Sequence, residues 1–258
     1  MSMQGVIQIS GKPVNNKQLI VSFNVLPGSD PDAMGYFISI WEGNYIQSEK
    51  LTLQTIKITT KNQSGEVLFD QLAIGKKSYI VGLGIKSATG EQQICATLSV
   101  PANATSKMFL PARLSNIMVK ADHIGTNFLI AQFATPCDNQ SRINKNWIAL
   151  FHGKFSADMY QGTNVITVTK AVTNKHSGVI MMKNIPNGLS RFGTYTLIFG
   201  TGLDSSGNPD YKMLISSHTF IVWKSSIYLG VAVTAPGAAQ HTVSTFSASA
   251  SQFNYTLS

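Results

Sequence analysis

Acidic side chains are scarce in this chain. Asp and Glu number 12 among 258 residues, against 20 Lys and Arg, and all charged residues together make up 12%. An ordinary globular protein carries about 25%. Ser, Thr, Asn, Gln and Gly fill the vacant places. A surface of that kind is poorly protected by charge against association, as in shells, filaments and chains that pack on copies of themselves. The formal charge of +8 therefore reflects missing acids more than abundant bases. Lys76 and Lys77 are the only adjacent basic pair. A nucleic-acid binder clusters its bases on one face or arm, so no specific nucleic-acid partner is expected. The bland reading is a generally basic surface; the sharper one is an anionic partner such as a phosphate polymer or an acidic glycan.

Cysteine is nearly absent. Cys95 and Cys137 do not hold equivalent places in the repeats described below, so they do not make a repeated bridge or a disulfide framework. Long apolar runs are lacking too. Nothing reaches the roughly 18 continuous apolar residues of a membrane helix, and Met1 to Gln4 do not open a signal peptide. The compartment stays undetermined.

Apolar content is nevertheless 43%, enough for real cores. Its pattern is β. Leu19, Val21, Phe23 and Val25 alternate and predict one buried face. Tyr36-Phe37-Ile38-Ser39-Ile40-Trp41-Glu42-Gly43 is an aromatic and β-branched strand closed by a turn. Asn146-Trp147-Ile148-Ala149-Leu150-Phe151-His152-Gly153 repeats it. Phe133 answers Phe23, and Ile166-Thr167-Val168 answers Ile56-Lys57-Ile58 at the same spacing. Tyr195 answers Tyr79 at a slightly larger spacing, which grows only at loops. That is how a duplicated domain diverges.

The expected fold is all-β: two tandem immunoglobulin-like antiparallel β-sandwiches from an internal duplication, plus a C-terminal extension. Residues 1–105 and 112–224 hold the sandwiches, each of about seven short strands. Residues 225–258 form the extension. Alternation places Phe37 and Trp147 in the cores and Trp41 and Phe151 on the same inward face.

The strand Asn146-Trp147-Ile148-Ala149-Leu150-Phe151 resembles the aromatic-led strand of SKICH-type immunoglobulin-like domains. About ten residues per copy carry the resemblance, and the first copy departs from it with Tyr36-Phe37. It implies a sandwich that serves as an interaction or targeting module.

Chemistry-bearing constellations are few. The five histidines, His123, His152, His176, His218 and His241, show no i, i+4 metal spacing. No nucleophile elbow, phosphate loop or dinucleotide fingerprint is present. Asp204-Ser205-Ser206-Gly207-Asn208-Pro209-Asp210 is a weak calcium candidate through Asp204 and Asp210, but it lacks the terminal glutamate of a helical calcium loop. Turn chemistry explains the same residues, so neither metal nor cofactor is expected. Tyr45, Phe155 and Tyr160 lie beyond the organising strand and are the candidate exposed platforms for a sugar. In the extension, Ile227 to Val233 reads as a strand. Ile227, Tyr228, Val231, Phe246, Phe253 and Tyr255 are its candidate assembly residues.

The function expected from these features is non-enzymatic: an interaction or self-assembling structural protein, partnered by itself or by another protein. The alternative is a glycan- or host-surface-binding module of lectin or toxin type. A hydrolase with an active site assembled from distant residues is the third reading.

Overall fold

The computed structural model describes residues 3–46, 52–87, 90, 92–114, 116–136 and 139–223. The extension from 224, with Ile227, Tyr228, Val231, Phe246, Phe253 and Tyr255, lies outside the described residues, as do Cys137 and His241.

The chain begins with a short strand, β1 (Met3–Val6), then one residue later β2 (Gln8–Pro13). The first sandwich continues with β3 (Leu19–Asn24), β4 (Tyr36–Glu42), β5 (Gln54–Lys57), β6 (Ser64–Phe69), β7 (Tyr79–Lys86), β8 (Gln92–Val100) and β9 (Leu110–Leu114). The second has β10 (Asn116–Ile124), β11 (Leu129–Ala134), β12 (Trp147–His152), β13 (Val165–Lys170), β14 (Ser177–Met182), β15 (Thr194–Gly200) and β16 (Leu214–Ile221). A 3-10 turn, Ala157–Gln161, follows β12. Every strand pairing is antiparallel, and no α-helix occurs among the described residues.

Each repeat has the same two layers. In the first, β2-β3-β6 faces β5-β4-β7-β8; in the second, β10-β11-β14 faces β13-β12-β15-β16. This is the two-sheet order of an immunoglobulin-like sandwich. The expected fold class is what the chain adopts. Leu19, Val21, Phe23 and Val25 are all buried as their alternation predicts, and Leu129, Ala131 and Phe133 repeat them. Both repeats carry a tyrosine corner. The backbone N–H of Ala73 donates to the Tyr79 hydroxyl at 2.7 Å, and that of Ser190 to the Tyr195 hydroxyl at 2.8 Å. Each bond ties the loop before the strand to the start of that strand.

All four rings of the organising strands are buried as expected, and Trp147 and Phe151 belong to the core cluster, but the face they occupy is not the one turned to the other layer. Phe133 of β11 stacks on Phe199 of β15 at 5.5 Å, across the two layers. Phe199 is the register partner of Ile148, so Ile148 and Leu150 face the sandwich interior. Trp147 and Phe151 point to the opposite face. In the first repeat, Tyr36, Ile38 and Ile40 join the main core cluster and Phe37 and Trp41 do not. Both faces are nonetheless buried. The β15–β16 loop folds over Trp147 and Phe151 through Tyr211, at 5.4 and 6.0 Å between ring centres, and Trp147 Nε1 donates to the Gly202 carbonyl at 3.0 Å. Alternation cannot separate two buried faces, and a continuous apolar run is their signature.

The repeats are joined by more than the connection between them. β9 leads into the second repeat and pairs with β8 of the first, in register Thr97↔Arg113. β1 leads into the first repeat and pairs with β16 of the second, in register Ser217↔Gly5. Each repeat's leading strand thus completes the last strand of the other. β9 also pairs with β2, so the first sandwich's two layers form one sheet that ends at β5 and β6.

Candidate functional site

Strand direction sorts the loops of the first sandwich onto two poles. β2 and β4 end where β5 and β9 begin, because each neighbour pair is antiparallel. At that pole stand Val14, Tyr45, Leu53 and Phe109, all exposed. Each lies just outside a strand end, where alternation no longer dictates a face. Tyr45 is 60% exposed, as its position beyond the turn predicts. Val14, Leu53 and Phe109 escape sequence reading because a lone apolar residue in a loop carries no pattern. Adjacency to a strand terminus is their one signal.

The opposite pole packs on the second repeat. The Tyr160 hydroxyl reaches the Leu26 carbonyl at 3.4 Å, and Asn139 Nδ2 donates to the Ile94 carbonyl at 2.8 Å. Asn146 Nδ2 donates to Asn139 Oδ1 at 2.6 Å, and Asn144 Nδ2 donates to Gln93 Oε1. The Ile7 N–H donates to the Ile215 carbonyl at 3.2 Å. Asn139 and Asn146 are buried, so their amides must be satisfied within the protein. The Asn146–Asn139 bond lies within the second repeat and orients Asn139; the others cross between repeats and hold the inner pole closed.

Two platform candidates are therefore displaced. Tyr160 is only 7% exposed, held in the 3-10 turn between the repeats. Burial pushes its phenol well above the usual tyrosine range. Phe155 is partly buried against the core and meets Tyr160 edge-on at 6.1 Å. Tyr160 presents no free ring, because Leu26 of the other repeat packs at its hydroxyl, while Phe155 stays half-buried.

The loop proposed for calcium uses its carboxylates on its own backbone. Asp204 Oδ1 accepts the N–H groups of Ser206 and Asn208, both at 2.9 Å, and Asp210 Oδ1 accepts that of Lys212 at 3.1 Å. This is turn chemistry. Among the described residues no three His, Cys, Asp or Glu side chains gather as metal ligands. Two shallow depressions open to solvent. One lies between edge strands β5 and β6, against Phe23, Ile56, Ile58 and Leu68; the other lies beside Asn15, Lys17 and Asp70. Neither is lined by histidine or cysteine.

The fold defines a class: a two-repeat, immunoglobulin-like β-sandwich protein, here with four exposed apolar side chains among the charged loops of the first sandwich's outer pole. No family model matches the chain, and no curated protein matches it. Among solved structures it is similar to the chicken CNTN1 FN1-FN3 domains, at 12% identity and a TM-score of 0.27. That match covers 84% of this chain and 63% of the other, less than two thirds of its length.

Proposed function

We propose that this chain is a non-catalytic interaction protein that assembles with further copies of itself through the free pole of the first sandwich. The observation that carries this reading is the placement of Val14, Tyr45, Leu53 and Phe109 at one end, all exposed among the lysines of the same loops. Scattered single apolar residues are ordinary; several on one pole mark a contact surface. Loop poles of sandwiches are also where binding residues concentrate, because a rigid scaffold positions them. The SKICH-like strand supports an interaction role in the same sense. The proposed donors from a second copy are Ile227, Tyr228, Val231, Phe246, Phe253 and Tyr255 of the extension. Assembly with itself is preferred over assembly with a different protein, because both halves of such an apolar contact are present in one sequence.

Light scattering against protein concentration tests this. Assembly that grows with concentration and survives high salt is expected, since apolar contacts are not screened. Tyr45→Ser with Phe109→Ser should return the protein to a dispersed state without lowering its melting temperature. A monomer at every concentration, or assembly untouched by that double change, would overturn the reading.

A further inference from the structure

We propose that Arg191, Phe192 and Trp223 of the second repeat form a binding corner for a saccharide that carries a carboxylate. Phe192 has a backbone φ of 62°, in the left-handed region. A bulky side chain is a genuine outlier there, and such strain gathers at binding sites. Backbone bonds hold it in place. The Phe192 N–H donates to the Val222 carbonyl at 2.6 Å, and the Val222 N–H returns to the Gly193 carbonyl at 3.1 Å. The result is a phenyl ring 59% exposed to solvent. The corresponding loop of the first repeat, between Asp70 and Ser78, contains no aromatic residue. The tyrosine corner therefore does not require one.

Two neighbours give the ring a chemistry. Trp223 is 61% exposed and meets Phe192 edge-on, at 6.1 Å and 86°. The exposed parts of the two rings offer apolar surface for the C–H face of a pyranose. The Arg191 guanidinium lies over the Phe192 ring at 4.7 Å. Stacking uses the face of the guanidinium and leaves its N–H edge as a fork of donors shaped for a carboxylate. The ion pairs among the described residues are Lys57–Asp32 and Lys77–Glu42, so no described carboxylate neutralises Arg191. The loop from 183 to 193 holds Lys183 and Arg191 and no acid. Ring faces select a sugar, and the unneutralised cation selects an acidic one. The corner lies on the other repeat from the loop pole, and because Trp223 precedes the extension, binding is read on dispersed protein.

Tryptophan fluorescence reads this site directly, because Trp41 and Trp147 are buried and Trp223 is exposed. The intact protein, diluted until dispersed, is titrated with oligogalacturonate and with a sialylated oligosaccharide; neutral maltohexaose is the control. Saturable change with at least one acidic sugar and none with maltohexaose is expected. Arg191→Ala should weaken binding about tenfold or more. Phe192→Gly should weaken it as much, yet melt no lower than the parent, because glycine is at home at positive φ. Tyr45→Ser should leave binding unchanged. No response to either acidic sugar, equal binding of maltohexaose, or full binding by Phe192→Gly would each overturn the proposal.

Discussion

Trp147 of β12 lies across Gly200, its register partner on β15, and the indole fills the space that a β-carbon at 200 would take. Phe37 lies across Gly84 in the same way in the first repeat. A second pair joins the other layer: Phe23 faces Gly65 and Phe133 faces Gly178, where an added β-carbon would meet the ring at 2.9 and 3.0 Å. Four aromatic–glycine pairs, two per repeat, thus seat large rings flat on neighbouring strands. Glycine in a strand interior marks such a close approach.

Gly200→Ala should destabilise the protein by about 2–3 kcal/mol, since the ring has no free side to move to in a packed layer. Gly200 does not have a positive φ, so the effect is steric alone. Gly207→Ala supplies the contrast. Its φ is 79° and its added β-carbon meets nothing within 4 Å, so only backbone strain of about 1–2 kcal/mol applies. Urea denaturation of both variants separates the two causes. Equal effects would remove the Trp147 contact as an explanation.

Tyr79→Phe and Tyr195→Phe delete the corner hydroxyls and leave a backbone N–H without its acceptor. A loss of about 1–2 kcal/mol is expected for each. The effects should add, because the corners sit in different repeats and share no partner. Tyr195 also meets the Ser190 hydroxyl at 3.0 Å, so its deletion should be the costlier of the two. Denaturation midpoints of the two single variants and the double variant check both statements.

What the sequence made legible was local. The duplication, the buried faces of β3 and β11, and the matched tyrosines all rest on alternation or on single residues at repeated spacing. What it hid was contact between distant segments. Tyr160 reads as a loop aromatic because Leu26, which covers it, is in the other repeat. The expected bounds leave 106–111 outside both sandwiches, yet Leu110 and Pro111 already belong to β9. The union of β1 with β16 leaves no trace in either strand's pattern, since four residues are too few to show a period. Of the aromatic corner, only Phe192 and Trp223 as residue types are visible; the positive φ that turns Phe192 outward is not.

Stability should fall as the solution is acidified below about pH 6.5, the ordinary histidine value. His218 of β16 stacks on Phe220 at 6.3 Å, and its buried Nδ1 has no partner among the described residues. Burial lowers its pKa, so the folded protein resists the proton that the unfolded chain accepts. The unfolded state then binds more protons, and stability drops with falling pH until His218 itself titrates. Above the ordinary value both states are neutral and no such loss occurs. His218→Phe should flatten that part of the profile in denaturation curves taken from pH 7.5 to pH 5.

Removal of the two chain ends should have opposite signatures. The outer edge of β16 is filled by β1 along Met3↔Thr219 to Val6↔Ser216, the place that β9 fills on β8. Deleting residues 1–6 uncovers this edge and should lower the melting temperature. An open edge also invites pairing with another chain, so larger species should accompany the loss. Gly5→Val should imitate the deletion in part, because a β-carbon at 5 would meet Ser217 Oγ at 2.7 Å and a Leu26 methyl at 3.2 Å. The extension faces the reverse situation. It follows β16 as β9 follows β8, but the corresponding edge is already taken. The run from Ile227 to Val233 lies outside the described residues, and the partner proposed for it is another copy. Truncation after Trp223 should leave the melting temperature of the two-repeat body unchanged and reduce the assembly seen by light scattering. A truncated protein that melts lower yet assembles as before would place the extension's role in its own chain and end that proposal.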